Sequence, residues 1–379
     1  MFKSAAKNAF TEIEHRATIL GKMMRFGVDF LDHALKGILP DDLVLIGAPP
    51  GVGKTAICCN IALANLLDGK RIHYIALEAA EHEIERRLKY PIVMKKFFDD
   101  VNRIQMKIQF DEWLIGRYLG ELANYEVAAA KEFEEKFKNL FMFYKTDDFG
   151  LPELIESVAY ASSDTDLIII DHVHYFDFDD DNENRAIKKI AKTTRTLALD
   201  EGKPIILVSH LRKRDRGNDE IIAGLEEFMG TSDLYKVATR VITIAPGDFR
   251  PDGNYDTYFR IPKNRWNGGV TRFSAKEIYD PRIGGYKSGC YELGKANQFR
   301  EKGFISLSES DYPDWARKTN TGFSDSGTTI AGKSKPSNGD RPKVLQNFAE
   351  TIPGFNKGNS LGRNSIPGAP SPWYKEADS

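Results

Sequence analysis

An apolar run, Leu43-Val44-Leu45-Ile46, passes through Gly47 into Ala48-Pro49-Pro50-Gly51-Val52-Gly53-Lys54-Thr55, and a helical pattern from Ala56 to Leu67 follows. This strand–loop–helix succession constrains the chain more than any other feature, because such a loop works only between a buried strand and the positive end of a helix. Gly51 and Gly53 let backbone N–H groups curl around a phosphate. Lys54 neutralises its oxygens, and Thr55 offers a hydroxyl to Mg²⁺. Ala48 stands where the pattern usually has its first glycine, and a small side chain is tolerated there. The segment 48–56, ending in Ala56, therefore reads as a binding site for ATP or another nucleoside triphosphate with Mg²⁺.

The surrounding pattern sets the fold class. Leu43–Ile46, Ile72–Leu77, Leu167–Ile170, Ile205–Val208 and Val241–Ile244 are apolar almost throughout, as parallel strands covered on both faces must be. A doubly wound α/β sheet follows, and 379 residues suffice to bury it. Tyr258–Arg265 and Gly269–Tyr279, separated by Trp266-Asn267-Gly268, read as a hairpin at the sheet edge, after which the fold is expected to be complete. Residues 81–147 read as a helical excursion between the second and third strands. Residues 1–25 carry Phe10, Ile13, Ala17 and Ile19-Leu20 at helical spacing and predict an amphipathic helix. The main domain is expected over 26–300, followed by a largely disordered tail over 301–379. From Lys318 onward, 8 Gly, 6 Pro and 8 Ser in 62 residues leave too few apolar groups to offset the entropy of ordering. Trp373 and Tyr374 beside acids at the end of the tail form a candidate docking peptide, against the plainer reading of an unselected terminus.

Composition excludes several functions. With 53 basic and 55 acidic residues the net charge is −2, so any polyanion site is a local patch rather than a basic coat. The three cysteines, two of them adjacent at Cys58-Cys59, argue against disulfides and against a zinc site. No run approaches a membrane span and no signal peptide is visible, so a reducing, cytoplasmic location is expected.

Carboxylates at strand ends supply the remaining chemistry. Asp171 ends Leu167–Ile170 and fits a carboxylate holding magnesium-bound water, or else caps a turn. Glu78 ends the second strand as a candidate water-activating base, or as a helix-entry acid. Ser209-His210 ends the fourth, where His210 is a candidate sensor of the γ-phosphate or a satisfied core histidine. The acidic run 177–181 reads as a solvated loop.

The order of these elements, with Pro262-Lys263-Asn264-Arg265 downstream, resembles the RecA-like ATPase core of the DnaB family of ring-shaped replicative helicases, and within it the Twinkle and phage primase–helicase branch. The resemblance covers about residues 26 to 290, beginning at Phe26-Gly27-Val28-Asp29-Phe30-Leu31-Asp32. It implies that Glu78 is the water-activating base, that His210 senses the γ-phosphate, and that Lys263 and Arg265 act in trans on a neighbour's nucleotide. The bland alternative for that pair is basic protection of an edge strand. By the same resemblance single-stranded DNA passes through the centre of a homo-oligomer, with a hexamer expected, moving 5′→3′. Arg212 and Lys213, and the second loop Gly230, Thr231, Ser232 and Lys236, would hold its phosphates without reading bases. The cluster at 212–216 reads equally well as a solvated turn. No primase module is expected before Phe26, so a primase or loader would be a separate chain. Two other classes share the same motifs: a recombination ATPase forming filaments on DNA, and a KaiC-like regulator acting on protein partners.

Overall fold

Strands that are apolar at every position must be covered on both faces, and the central strands here send alternate residues into two separate cores. Val44, Ile46, Ile206 and Val208 pack on one side with Ile57, Ile61 and Leu88. Leu43, Leu45, Ile205 and Leu207 pack on the other with Leu154, Val158, Ile187 and Ile190. The structure is a computed structural model describing residues 6–100, 108–177, 182–211, 222–228, 233–282, 284–296 and 304–317.

In chain order, α1 (Ala9–Lys22) and α2 (Asp29–Leu35) precede β1 (Leu43–Ala48), α3 (Lys54–Leu67) and β2 (Ile72–Ala76). Next come α4 (Glu83–Asp99), α5 (Phe110–Leu114), α6 (Leu119–Lys136), β3 (Leu140–Tyr144), α7 (Leu151–Ser162) and β4 (Leu167–Asp171). The chain continues through α8 (Glu183–Glu201), β5 (Ile205–His210), the short α9 (Asp233–Val237) and β6 (Arg240–Phe249). It closes with β7 (Tyr255–Asn264), β8 (Phe273–Asp280), β9 (Gly285–Tyr286) and β10 (Glu292–Lys295). Sheet order is β10-β8-β7-β6-β1-β5-β4-β2-β3, with β9 on β8. From β3 to β6 all neighbours are parallel; from β6 to β10 they are antiparallel.

All five apolar runs are strands, and the RecA-like α/β fold is as expected. The excursion after Glu81 is helical through α6, but it ends in β3, a strand hydrogen-bonded to β2 that the helical reading of this stretch did not anticipate. Its residues are all half-buried or exposed, so the unbroken apolar run that marks the central strands is missing. The helices have a small core of their own, built on Tyr90, Phe97, Trp113 and Leu122.

The expected hairpin is present as β7 and β8, paired from Tyr255↔Tyr279 to Arg260↔Ser274. Its connection is longer than a tight turn: the Asn267 side chain accepts the Gly269 N–H at 2.9 Å and caps a 3₁₀ turn over Gly268–Arg272. Nor does the fold end there. The β8 strand is covered by β10, and Leu307, Tyr312 and Trp315 pack on the core beyond it. Packing therefore continues past the boundary expected at 300; the tail from Lys318 lies outside the described residues. Helix α1 has no buried residue, with Phe10 62% and Leu20 80% exposed.

Candidate active site

The phosphate loop has the geometry its glycines imply. Gly51 and Gly53 adopt φ of 76° and 92°, a region that only glycine enters freely, and Gly53 is the residue that opens α3. Lys54 is buried in the first turn of α3, and its Nζ lies 3.3 Å from the carbonyl oxygen of Pro49. Burial pulls the Lys54 ammonium below its usual pKa, while Glu78 and Asp171 pull it back up. A lysine that is buried, desolvated and without a carboxylate ion pair is suited to an anion that brings its own charge.

Strand register brings the other side chains to it. Ala48 lies opposite His210 across β1 and β5, and Ala76 lies opposite Asp171 across β2 and β4. The carboxyl ends of β1, β5, β4 and β2 are thus consecutive along one edge, beside the switch point at which β1 takes neighbours on both sides. Asp171 is buried there. Its Oδ2 accepts the Tyr74 hydroxyl at 2.9 Å, and Oδ1 has no aligned hydrogen-bond donor. Burial raises the Asp171 carboxyl above the ordinary range, opposed by the Thr55 and Tyr74 hydroxyls. A buried, half-satisfied carboxylate beside the Thr55 hydroxyl fits Mg²⁺, whose oxygen ligands are of this kind.

Glu78 sits just beyond β2 with its side chain 45% exposed, and its Oε2 is 2.9 Å from His172 Nε2. His172, joined to Asp171 by a cis peptide, is fully buried. The His210 ring meets it edge to face at 4.2 Å, and His174 Nε2 lies 3.2 Å from Ser209 Oγ. Burial, then the neighbouring cationic groups, push His172 down to about 3 and His210 to about 4, and burial lowers His174 as well. Burial thus favours the uncharged form of all three rings.

Sequence reasoning singled out Lys54, Thr55, Glu78, Asp171 and His210, which the structure brings to one edge of the sheet. It passed over Tyr74, His172 and His174, although a motif of two histidines flanking Val173 directly after Asp171 was there to be read. It also missed a cavity of about 450 Å³ beside the loop, lined by Gly53, Ala56, Arg87, Tyr255, Tyr279 and Tyr286 among others. That volume is of the size that takes a small organic ligand, and the tyrosine rings come from the antiparallel half of the sheet.

The basic pair lies elsewhere. Asn264 pairs with Arg240 at the start of β6, and the Arg265 N–H donates to Thr239 at 2.9 Å. Thr239 in turn donates to Leu43, the first residue of β1. Arg265 is exposed at the amino edge of the sheet, roughly 17 Å along β1 from the loop at ~3.3 Å per residue. Lys263 Nζ donates to the carbonyls of Tyr235 and Lys236 at 2.7 and 2.8 Å, bracing α9 of its own chain, so Arg265 is the half of the pair left exposed. Lys236 is exposed at the end of α9; Arg212, Lys213, Gly230, Thr231 and Ser232 lie outside the described residues. Among the described residues no helix is long and apolar enough to cross a membrane.

A family model described as DnaB-like helicase C terminal domain matches residues 24–221, just over half of the 379 residues. The chain belongs to the DnaB-like helicase family. As such it is an ATP-hydrolysing helicase, and the matched stretch holds Lys54, Thr55, Glu78, Asp171 and His210. The match ends before β6, so Lys263, Arg265 and the tyrosine side of the cavity lie outside it. Two solved structures are similar to this DnaB-like helicase in fold: a DnaB-like replicative helicase described with its interactions with primase, and the ATPase domain of G40P. Each gives a TM-score of 0.60 at 16% identity over 76% of this chain, covering 67% of the first and 99% of the second. No curated protein sequence matches it.

Proposed function

We propose that this DnaB-like helicase hydrolyses ATP at the carboxyl edge of its sheet and moves 5′→3′ on single-stranded DNA as a closed homo-oligomeric ring, a hexamer. The observation that carries the reading is the separation just described. Lys54, Thr55, Glu78, Asp171 and His210 converge on one edge, while Arg265 stands on the opposite edge, out of reach of its own loop. An arginine so placed serves a neighbour's nucleotide, and repeating that heterologous contact closes a ring.

In this reading the adenosine occupies the tyrosine-lined cavity and the phosphates lie along residues 51–55. Thr55 and Asp171 would hold Mg²⁺, which would supply charge neutralisation to the phosphate oxygens. Lys54 neutralises the same oxygens, Glu78 takes the proton of the attacking water, and neutral His210 hydrogen-bonds the γ-phosphate. Arg265 of the neighbouring subunit, with Lys263 behind it, completes the charge compensation. The exposed apolar side of α1, bearing Phe10 and Leu20, docks on the adjacent subunit. Lys236, with Arg212, Lys213, Gly230, Thr231 and Ser232, faces DNA phosphates at the ring centre. A separate primase or loader chain and a partner for the tail complete the assembly.

The test is unwinding of forked duplexes with either tail removed, together with the ATPase rate and particle shape. Unwinding that needs the 5′ tail, a rate raised by single strands, and rings are expected. Helical filaments with strand pairing would point to the recombination class. ATPase indifferent to DNA would point to the KaiC-like class.

A further inference from the structure

Resting on the reading that Glu78 activates water, we infer that His172 is its positioning residue: a buried, uncharged imidazole that orients the Glu78 carboxylate through Nε2–H without touching the nucleotide. The position follows from the chain. His172 comes directly after β4, the strand between the one ending in His210 and the one that runs into Glu78, so a side chain there lies between the two. His172 is fully buried, and its Nε2 is 2.9 Å from Glu78 Oε2.

The tautomer is set by the other ring nitrogen. His172 Nδ1 accepts the backbone N–H of His174 at 3.3 Å, so Nδ1 carries no proton and, in a neutral ring, Nε2 carries it. That proton faces an exposed carboxylate whose remaining freedom is rotational. The N–H is off the line to Oε2, leaving Nε2 without an aligned acceptor, and a modest turn of the Glu78 carboxylate supplies one. Catalytic hydrogen bonds commonly tighten in this way once substrate is present. The Tyr175 hydroxyl also bonds Glu78, and the Tyr175 ring packs edge to face on His172 at 4.8 Å between centroids. The carboxylate is therefore held from two sides.

Neutrality is what makes this arrangement useful. An imidazolium beside Glu78 would stabilise the carboxylate anion and weaken it as a base, whereas a neutral N–H donor orients it at much smaller cost in basicity. Because Nδ1 accepts from the His174 N–H, the ring carries its one proton on Nε2 and no charge.

The same three side chains, Glu78, His172 and His210, place ligand atoms within 4.8 Å of one another and so also invite a transition metal. The scarcity of cysteines argues only against thiolate zinc, so this alternative is decided by the tautomer. A metal-bound histidine donates its second ring N–H to an acceptor, but His172 Nδ1 faces a donor.

The two amide replacements separate the possibilities, because the glutamine side-chain amide overlays Nε2 and the asparagine amide overlays Nδ1. His172→Gln, His172→Asn and His172→Leu are compared in the full chain by steady-state ATPase with single-stranded DNA, by affinity for a fluorescent ADP analogue, and by melting temperature. His172→Leu and His172→Asn are expected to lower kcat about tenfold to a hundredfold with KM and ADP affinity unchanged, as a misplaced catalytic group does. His172→Gln is expected to recover most of the loss. Equal kcat in all four proteins would overturn the inference. So would equal losses in all three variants accompanied by a zinc-dependent rate in the wild type, which is the metal outcome. A melting temperature too low for assay in His172→Leu leaves the Gln–Asn comparison to decide. Glu78→Gln is run alongside: if it retains full activity, the reading of Glu78 fails; if it is inactive while the His172 variants are normal, only this inference fails.

Discussion

Asp42 and Asp171 are both fully buried carboxylates of one sheet, at its opposite edges, and they are treated differently. At the amino edge, Asp42 Oδ1 accepts from Thr239 Oγ1 at 2.7 Å and Trp266 Nε1 at 3.4 Å. Its Oδ2 accepts from the Leu39 N–H at 2.8 Å and lies 3.0 Å from Arg240 Nε in an ion pair whose N–H is not aligned as a hydrogen bond. The Arg240 guanidinium is buried in turn and also donates to the carbonyls of Leu35 and Gly37. At the carboxyl edge, among the described residues, Asp171 Oδ1, His172 Nε2 and His210 Nδ1 are buried without aligned partners and Lys54 has no carboxylate ion pair. A buried carboxylate with donors on both oxygens and a cation beside it holds a fold together, and one left half-satisfied is suited to a ligand. The same sheet therefore has a structural edge and a reactive edge.

The contrast is open to test. Asp42→Ala strands a buried guanidinium, and stability measured by denaturant unfolding is expected to fall by about 3–5 kcal/mol, while the protein that remains folded keeps its kcat. Asp171→Asn is expected to do the reverse. Hydrolysis falls on the order of 10²–10³-fold, the usual loss when one electrostatic stabiliser is removed. The nucleotide-free protein melts no lower than wild type, because burial has already raised the Asp171 pKa and the fold disfavours its charge. A loss of several kcal/mol for Asp171→Asn would erase the distinction between the edges.

The smallest effect is on pH. His172, His174 and His210 have folded pKa values below their ordinary one, so the unfolded chain takes up protons first as pH falls. Stability from this cluster is complete above about pH 6.5 and is lost toward pH 4, and His172→Gln is expected to flatten that decline in melting temperature.

What the sequence could tell also divides between the edges. Lys54 and Thr55 are fixed by spacing within one loop, and Asp171, Glu78 and His210 each end a recognisable strand, so their positions are visible residue by residue. The Asp42–Arg240 pair joins residues about two hundred positions apart in chain order, and only register brings them together. β3 escaped notice because Phe141 and Phe143 are exposed, which breaks the buried-run signal. The cavity beside the phosphate loop was invisible for a related reason: Tyr255, Tyr279 and Tyr286 come to the loop through antiparallel pairing, which leaves no local motif. Arg265 was singled out by its pattern, but its place beside Thr239 and the start of β1, at the far edge of the sheet from the loop, is purely topological.

That topological claim is tested most directly by mixing. Lys54→Ala and Arg265→Ala proteins are assayed for DNA-stimulated ATPase alone and combined over a range of ratios. Each alone is expected to lose at least about a hundredfold in rate. Their mixture should regain activity, because some interfaces then pair the intact Lys54 of one subunit with the intact Arg265 of the next. Full activity of Arg265→Ala on its own, with no gain on mixing at any ratio, would contradict a site divided between the two edges of neighbouring sheets.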